Sequence, residues 1–225
     1  MPEPGLTSLT STHIAVRLAE IRRKIDASAL RAGRSPADIE VVVVTKGQPP
    51  AVVREAYAAG IRHFGENRVD ELAGKVEALA DLAGVTWDMV GHLQSRKVKD
   101  LPQQVAMVHS ADRLKIADRL EAWASERGRP LDILLECNMS GEPTKAGWSL
   151  SRRADWERTL PDFEKISRFQ NLKTLGLMTM APEAAETAVV RPVFVALAEL
   201  RRFVEARLGV AWPHLSMGMT DDFEI

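Results

Sequence analysis

Seven short apolar runs, each followed by a helical pattern, recur along this chain in one unbroken order, and that alternation restricts its fold more than any other feature. The first run, "EVVVVT" at residues 40–45, is apolar on successive positions, which suits a parallel strand buried on both faces better than a half-solvated antiparallel one. A helical pattern at 50–59 follows it, then "IRHFGEN" as a short strand with its exit, and a second helix at 66–82. "VTWDMVGHL" reads as a strand leading to a short basic helix from Ser95, and "VAMVHS" as a strand leading to a helix over 112–127. "LDILLECNMS" is a strand with a polar exit, and 150–169 is helical, with Pro161 interrupting it or opening a second piece. "LKTLGLMTM" and a helix over 183–208 form the sixth unit, and "WPHLSMGMT" is a short strand running into a turn. Strands alternating with helices predict a parallel sheet, either a TIM-type (β/α)8 barrel or a doubly wound open sheet, and seven strands of one kind favour the barrel.

An extra helix precedes these units. Over residues 11–33, Ile14, Leu18, Ile21, Ile25 and Leu30 fall near helical spacing, with Ser11 or Thr12 as the expected N-cap and Gly33 as the stop. No Ser/Gly-rich linker or charge block divides the 225 residues. One domain over 1–225 is expected, with 1–11 as a flexible lead-in.

Composition narrows the partners. Thirty Lys and Arg against 31 Asp and Glu leave a net charge of −1, so no basic field draws in nucleic acid. No apolar run approaches the ~20 residues of a membrane helix. The single cysteine, Cys137, excludes an internal disulfide, and the N-terminal residues lack the pattern of a secretory signal, so a cytoplasmic protein is expected.

In parallel α/β folds function collects at the carboxyl ends of the strands. The first strand ends in Lys46, which is either a solvated lysine or an amine in a barrel mouth, where desolvation would make it a nucleophile. The second exits through "HFGEN", where Gly65 allows a tight turn and Glu66 and Asn67 are candidate helix caps. The third leaves through "GHLQSRK", setting His92 and Gln94 at the rim beside Arg96, Lys97 and Lys99, which read as a solvated basic face. The loop "CNMSGEPTKAGW" after the fifth reads as βα turn chemistry, and Met178 and Met180 after the sixth as packing. The seventh ends in "LSMGMTDDFE", where Ser216 and Thr220 supply hydroxyls and Gly218 lets backbone come close. A helix is expected to start near Thr220 or Asp221 and present free N–H groups to an anion, with a plain capped turn as the alternative. An amine on the first strand and an anion-holding turn after the seventh together fit pyridoxal 5'-phosphate, which needs both.

Seven segments, "VVVTKGQP", "AGIRHFGENRVDEL", "WDMVGHLQSRKVK", "VHSADRLKIADRL", "CNMSGEPTKAGW", "LGLMTMAP" and "LSMGMTDDFE", resemble in order the signature segments of the pyridoxal phosphate homeostasis protein family, over roughly residues 12–225. The resemblance implies a single barrel like the N-terminal domain of alanine racemase, whose last helix and strand are not present in the given chain. It implies that Lys46 carries the cofactor as a Schiff base. It places Ser216, Met217 and Gly218 at the phosphate, the last two through backbone groups, and Asn67 beside the ring, with His92 and Met178 near the pocket. It implies a monomeric cofactor carrier that supplies apo-enzymes; no metal and no catalytic residue is assigned. The alternative is an enzyme using the same cofactor, such as an amino-acid racemase. A two-base racemase needs a second acid or base opposite the lysine, and Tyr57, the only tyrosine, falls in the helix after Lys46, away from the strand ends. A third reading is a barrel that serves only as a protein-interaction module.

Overall fold

The structure, a computed structural model, describes residues 10–183 and 186–225. It is an α/β fold around one parallel sheet, whose path runs through β1 (Val43–Val44), β2 (His63–Glu66), β3 (Thr86–Met89), β4 (Val105–Ala111), β5 (Leu131–Asn138), β7 (Leu172–Met178) and β8 (His214–Ser216). A two-residue strand, β6 (Trp148–Ser149), pairs with the end of β5 off this path. The helices between them are α2 (Pro50–Ala58), α3 (Val69–Ala78), α4 (Leu114–Glu126), α5 (Trp156–Ser167) and α6 (Thr187–Leu208), with a 3-10 turn at Ser95–Asp100 in place of the short basic helix. The seven strands on the path are the seven anticipated units. Among the described residues no helix is long and apolar enough to cross a membrane.

The sheet curls. His109 on β4 hydrogen-bonds Ser216 on β8, although β5 and β7 lie between those strands in the sheet. The helix α1 (Ser11–Arg31) spans the two ends of the path: its Ser11 N–H donates to Glu55 on α2, while Lys24 pairs with Glu224 and the Ser28 hydroxyl donates to the Glu224 carbonyl. One face of the sheet therefore lines a lumen, and the other packs against the helices through one large apolar core that includes Phe64, Trp87, Val108, Ile133, Leu177, Leu120, Phe163 and Leu197.

Several expectations change. Thr10, not Ser11 or Thr12, caps α1, accepting from the His13 N–H; of the lead-in, residues 1–9 lie outside the described residues. The valine run is not buried on both faces. Only Val43 and Val44 pair, along one edge, and Val44 is 45% exposed, because its lumen-side neighbour on β2 is Gly65, which has no side chain to cover it. The helix after β2 starts at Val69, so Glu66 stays in the strand, and Glu66 and Asn67 are not its caps. Pro161 lies inside α5 without breaking it. Of the helix read over 183–208, Thr187–Leu208 forms, and 184–185 lie outside the described residues. After β8, residues 220–224 form hydrogen-bonded turns with a single i+4 bond, Phe223 N–H to Met219 carbonyl, rather than a helix.

Candidate functional site

Register fixes which side chains enter the lumen, since residues paired across parallel strands share a face. Val44, Gly65, Asp88, Met107 and Asp132 are one such row, and Glu136, Met178 and Ser216 another nearer the carboxyl ends. Leu134, Leu175, Met178 and Met107 make a small apolar cluster within it.

Lys46 opens the turn that follows β1 and is exposed. Its amine has no hydrogen bond or ion pair among the described residues, in contrast to Lys75 and Lys145. The residue before it is held firmly. The Thr45 hydroxyl donates to Glu66 Oε1 at 2.5 Å, and Lys75 on α3 donates both to the Thr45 carbonyl and to the same Glu66 oxygen. Asn67, half-buried, leaves the end of β2. Its backbone is pressed so closely against Gly91 that a Cβ there would fall 2.4 Å from the Asn67 carbonyl oxygen.

Ser216 closes β8 with its hydroxyl toward the lumen, 2.9 Å from His109 Nδ1, and Met217 follows, 38% exposed. Gly218 has φ +93, and a Cβ would sit 3.2 Å from the Phe223 Cα. This conformation favours glycine, and a side chain at this position would crowd the Phe223 backbone. Lys46, Asn67, Ser216, Met217 and Gly218 thus all leave the carboxyl ends of strands β1, β2 and β8, on one end of the sheet. A free amine, a hydroxyl and a glycine turn are groups that fit an aldehyde carrying a phosphate.

A cavity of about 640 Å³ opens at that end, lined by His92, Asp112, Glu136, Lys145 and Met180 among others. Of the sequence-predicted residues it takes only His92, which pairs with Asp112 at 3.2 Å, and Met178 lies buried in the lumen cluster. The five principal residues stand outside its lining. Lys145 is fixed by Glu142 and by the carbonyls of Met180 and Ala181. Burial, with the charge of Asp112 adding to it, pushes the Glu136 carboxyl up to about 7.

The lumen also holds a chain of groups that sequence reasoning did not single out. Glu40 Oε1 lies 2.6 Å from His63 Nδ1, His63 Nε2 lies 2.6 Å from Asp88 Oδ2, and the same Asp88 oxygen lies 3.0 Å from His109 Nε2. Asp88 is fully buried. Burial alone would raise its carboxyl, but hydrogen bonds from His109 and His63 outweigh it and hold Asp88 below the usual carboxylate range. The converse holds at His63: burial opposes the charge, and Asp88 and Glu40 together raise its pKa. The signal was present in sequence, a polar residue at the inward position of "HFGE", "TWDM" and "VHS".

A curled parallel sheet with a polar lumen, crossed at its ends by an extra N-terminal helix, is an α/β architecture of the alanine racemase N-terminal type. The family model described as alanine racemase, N-terminal domain, matches residues 16–224. A pyridoxal phosphate homeostasis protein of Aquifex aeolicus is 40% identical over 209 residues, covering 93% of this chain and 89% of the relative. One of Pseudomonas aeruginosa is 39% identical over 212 residues, covering 94% and 87%. The solved structure of PipY from Synechococcus elongatus PCC7942 with PLP bound superposes with a TM-score of 0.78 at 34% identity, over 93% of this chain and 91% of that one. The chain belongs to the pyridoxal phosphate homeostasis protein family, within the alanine racemase N-terminal domain family.

Proposed function

We propose that this chain binds pyridoxal 5'-phosphate at the carboxyl end of its sheet, with the Lys46 amine as the group that takes the aldehyde, and keeps the cofactor available to apo-enzymes inside the cell. The observation that carries this reading is the amine of Lys46, unpaired at a strand end whose preceding residue is locked by Glu66 and Lys75. The PLP-bound PipY, alike in fold and 34% identical, supports it. When bound, the cofactor supplies an electrophilic aldehyde and an electron-withdrawing ring.

The residues around it are read as a holding site. Ser216 offers a hydroxyl to the phosphate, the Met217–Gly218 turn offers backbone N–H groups, and Asn67 stands beside the ring. Carriage rather than turnover is favoured by the position of Tyr57. Its hydroxyl donates to the Ala83 carbonyl at 2.9 Å and Arg62 covers its ring, so it is not a base opposite Lys46.

The test is a visible absorption spectrum of the protein with added pyridoxal 5'-phosphate, then borohydride reduction and peptide mapping. Covalent label on Lys46, absent from a folded Lys46→Ala variant, is expected; label elsewhere, or label retained by that variant, overturns the assignment. Incubating the loaded protein with L-alanine for hours and measuring enantiomeric excess separates a carrier from a racemase.

A further inference from the structure

The lumen relay determines hydrogen-bond direction, and that direction bears on the anion site. Both nitrogens of His63 face carboxylate oxygens at 2.6 Å, and a carboxylate only accepts, so both nitrogens carry protons and His63 is an imidazolium. His109 Nε2 faces the same Asp88 oxygen and must donate as well. Only His109 Nδ1 is left undetermined, because its partner, the Ser216 hydroxyl, can donate or accept. If His109 is neutral, Nδ1 accepts and the Ser216 proton points into the lumen, leaving only lone pairs for a ligand. If His109 is protonated, Nδ1 donates and the Ser216 proton is free to point outward. A phosphate oxygen accepts hydrogen bonds, so it is served only by the second state.

We infer that His109 is a positioning residue for the Ser216 hydroxyl, and that an oxyanion bound at Ser216 is held with uptake of one proton at His109. This rests on the reading that Ser216 faces the cofactor's phosphate. The surroundings can support the charged ring. Asp88 is held ionised between the two imidazoles, and its second oxygen is buried without a partner among the described residues. Other titratable groups turned toward the lumen or its carboxyl end are Asp132 and Glu136 on β5, Lys173 on β7 and His214 on β8, with the His92–Asp112 pair past β3 and β4 and Lys46 past β1. Opposing the second proton is the His63 imidazolium, which shares Asp88 but is balanced by Glu40. The α4 side of β4 is the apolar core and contributes no charge. Binding and protonation are then linked reciprocally, as any two events that favour one state must be.

The probe is sulfate, a dianion across the whole range, so any proton taken up belongs to the protein. The His109 Cε1–H resonance is followed by NMR from pH 5 to 9, with and without saturating sulfate, and sulfate affinity is measured over the same range. The titration midpoint of His109 is expected to rise by about one unit or more with sulfate, and affinity to fall by up to about tenfold per pH unit above the midpoint of the free protein. In His109→Phe the hydroxyl no longer has a nitrogen to serve, and the part of the pH dependence owed to this ring is expected to vanish, while any contribution from His92, His214 or Lys46 persists. An unmoved His109 midpoint in the wild-type protein, or an unchanged affinity profile in His109→Phe, overturns the inference; His109→Gln serves if the phenylalanine variant does not fold, and the wild-type titration needs no variant. Ser216→Ala distinguishes the two ways of failing. If it leaves sulfate and pyridoxal 5'-phosphate affinity unchanged, the anion site itself is misplaced; if it weakens both while His109 does not respond, the site stands and the proton coupling falls.

Discussion

Lys75 and Glu66 meet between the sheet and its helices, Nζ to Oε1 at 2.5 Å, the lysine 4% exposed and the glutamate wholly enclosed. Thr45 joins both partners, through its hydroxyl to Glu66 and its carbonyl to Lys75. A buried ion pair is weak evidence for stability by itself, because desolvation offsets attraction. Here it ties the last residue before Lys46 to two different elements, β2 and α3, and so fixes where the β1 edge delivers its amine.

Breaking this pair from one side leaves a buried charge without its partner. Lys75→Met is expected to cost about 3–5 kcal/mol in urea unfolding, whereas Lys75→Met with Glu66→Leu costs much less, because no charge is stranded. A double variant as unstable as the sum of the two singles would mean that the pair is not coupled. The single variant should also label more slowly on Lys46 with pyridoxal 5'-phosphate and borohydride.

Glu136 gives stability a definite pH dependence. Its carboxyl is raised from 4.5 to about 7 by burial and by Asp112, so the folded chain binds more protons than the unfolded one between those values. Stability from this group is therefore present at low pH and lost as pH rises through about 7, a loss of about 3 kcal/mol. In Glu136→Gln that loss is gone. The difference in unfolding free energy between variant and wild type should grow in favour of the variant from pH 4.5 to 7 and stay level above; a difference independent of pH would sink the assignment. Comparing the two proteins cancels the opposite slope from Asp88, whose lowered carboxyl withdraws stability as pH falls.

The alternation of strand and helix was legible because each apolar run is bounded by turn residues and followed by a period near 3.6, signals that are local in the chain. What lay outside local reach is where the errors fall. Whether Val44 is covered depends on Gly65, twenty-one residues on, and a two-residue strand such as β6 carries no period at all. The Thr10 cap was hidden in "TSLTSTH", where five hydroxyl residues compete for one position. That Lys46 follows β1 and Ser216 closes β8 was legible because the apolar runs before them are local and end there. The relay was not, since His63, Asp88 and His109 lie 46 residues apart from first to last and become neighbours only when β2, β3 and β4 pair.

Gly176 tests the placement of β8. It pairs in register with His214, and a Cβ added to it would fall 1.9 Å from the His214 carbonyl oxygen, a backbone atom that cannot rotate aside. Gly176→Ala must push β8 off β7, with an expected cost of about 1–3 kcal/mol or more. Since β8 carries Ser216, pyridoxal 5'-phosphate should also dissociate faster from the variant. Wild-type stability and dissociation rate together would show that β8 does not pack here as described.

Cys137 reports the opening of the same region. It is buried next to Glu136 on β5, its thiol donates to the Leu135 carbonyl at 3.5 Å, and burial, with Glu136 adding to it, pushes its pKa far upward. Thiolate, not thiol, attacks a disulfide reagent, so the native protein is protected twice, by access and by protonation. Reaction with an aromatic disulfide reagent at pH 8 should therefore follow opening of β5, and if that opening costs about 5 kcal/mol the native rate falls more than a thousandfold below the rate in urea. Glu136→Gln removes the neighbouring negative charge but not the burial, so it should leave the native rate slow. Labelling as fast in the native protein as in urea would mean that β5 is not enclosed, and the lumen described above would lose the strand that bears Glu136.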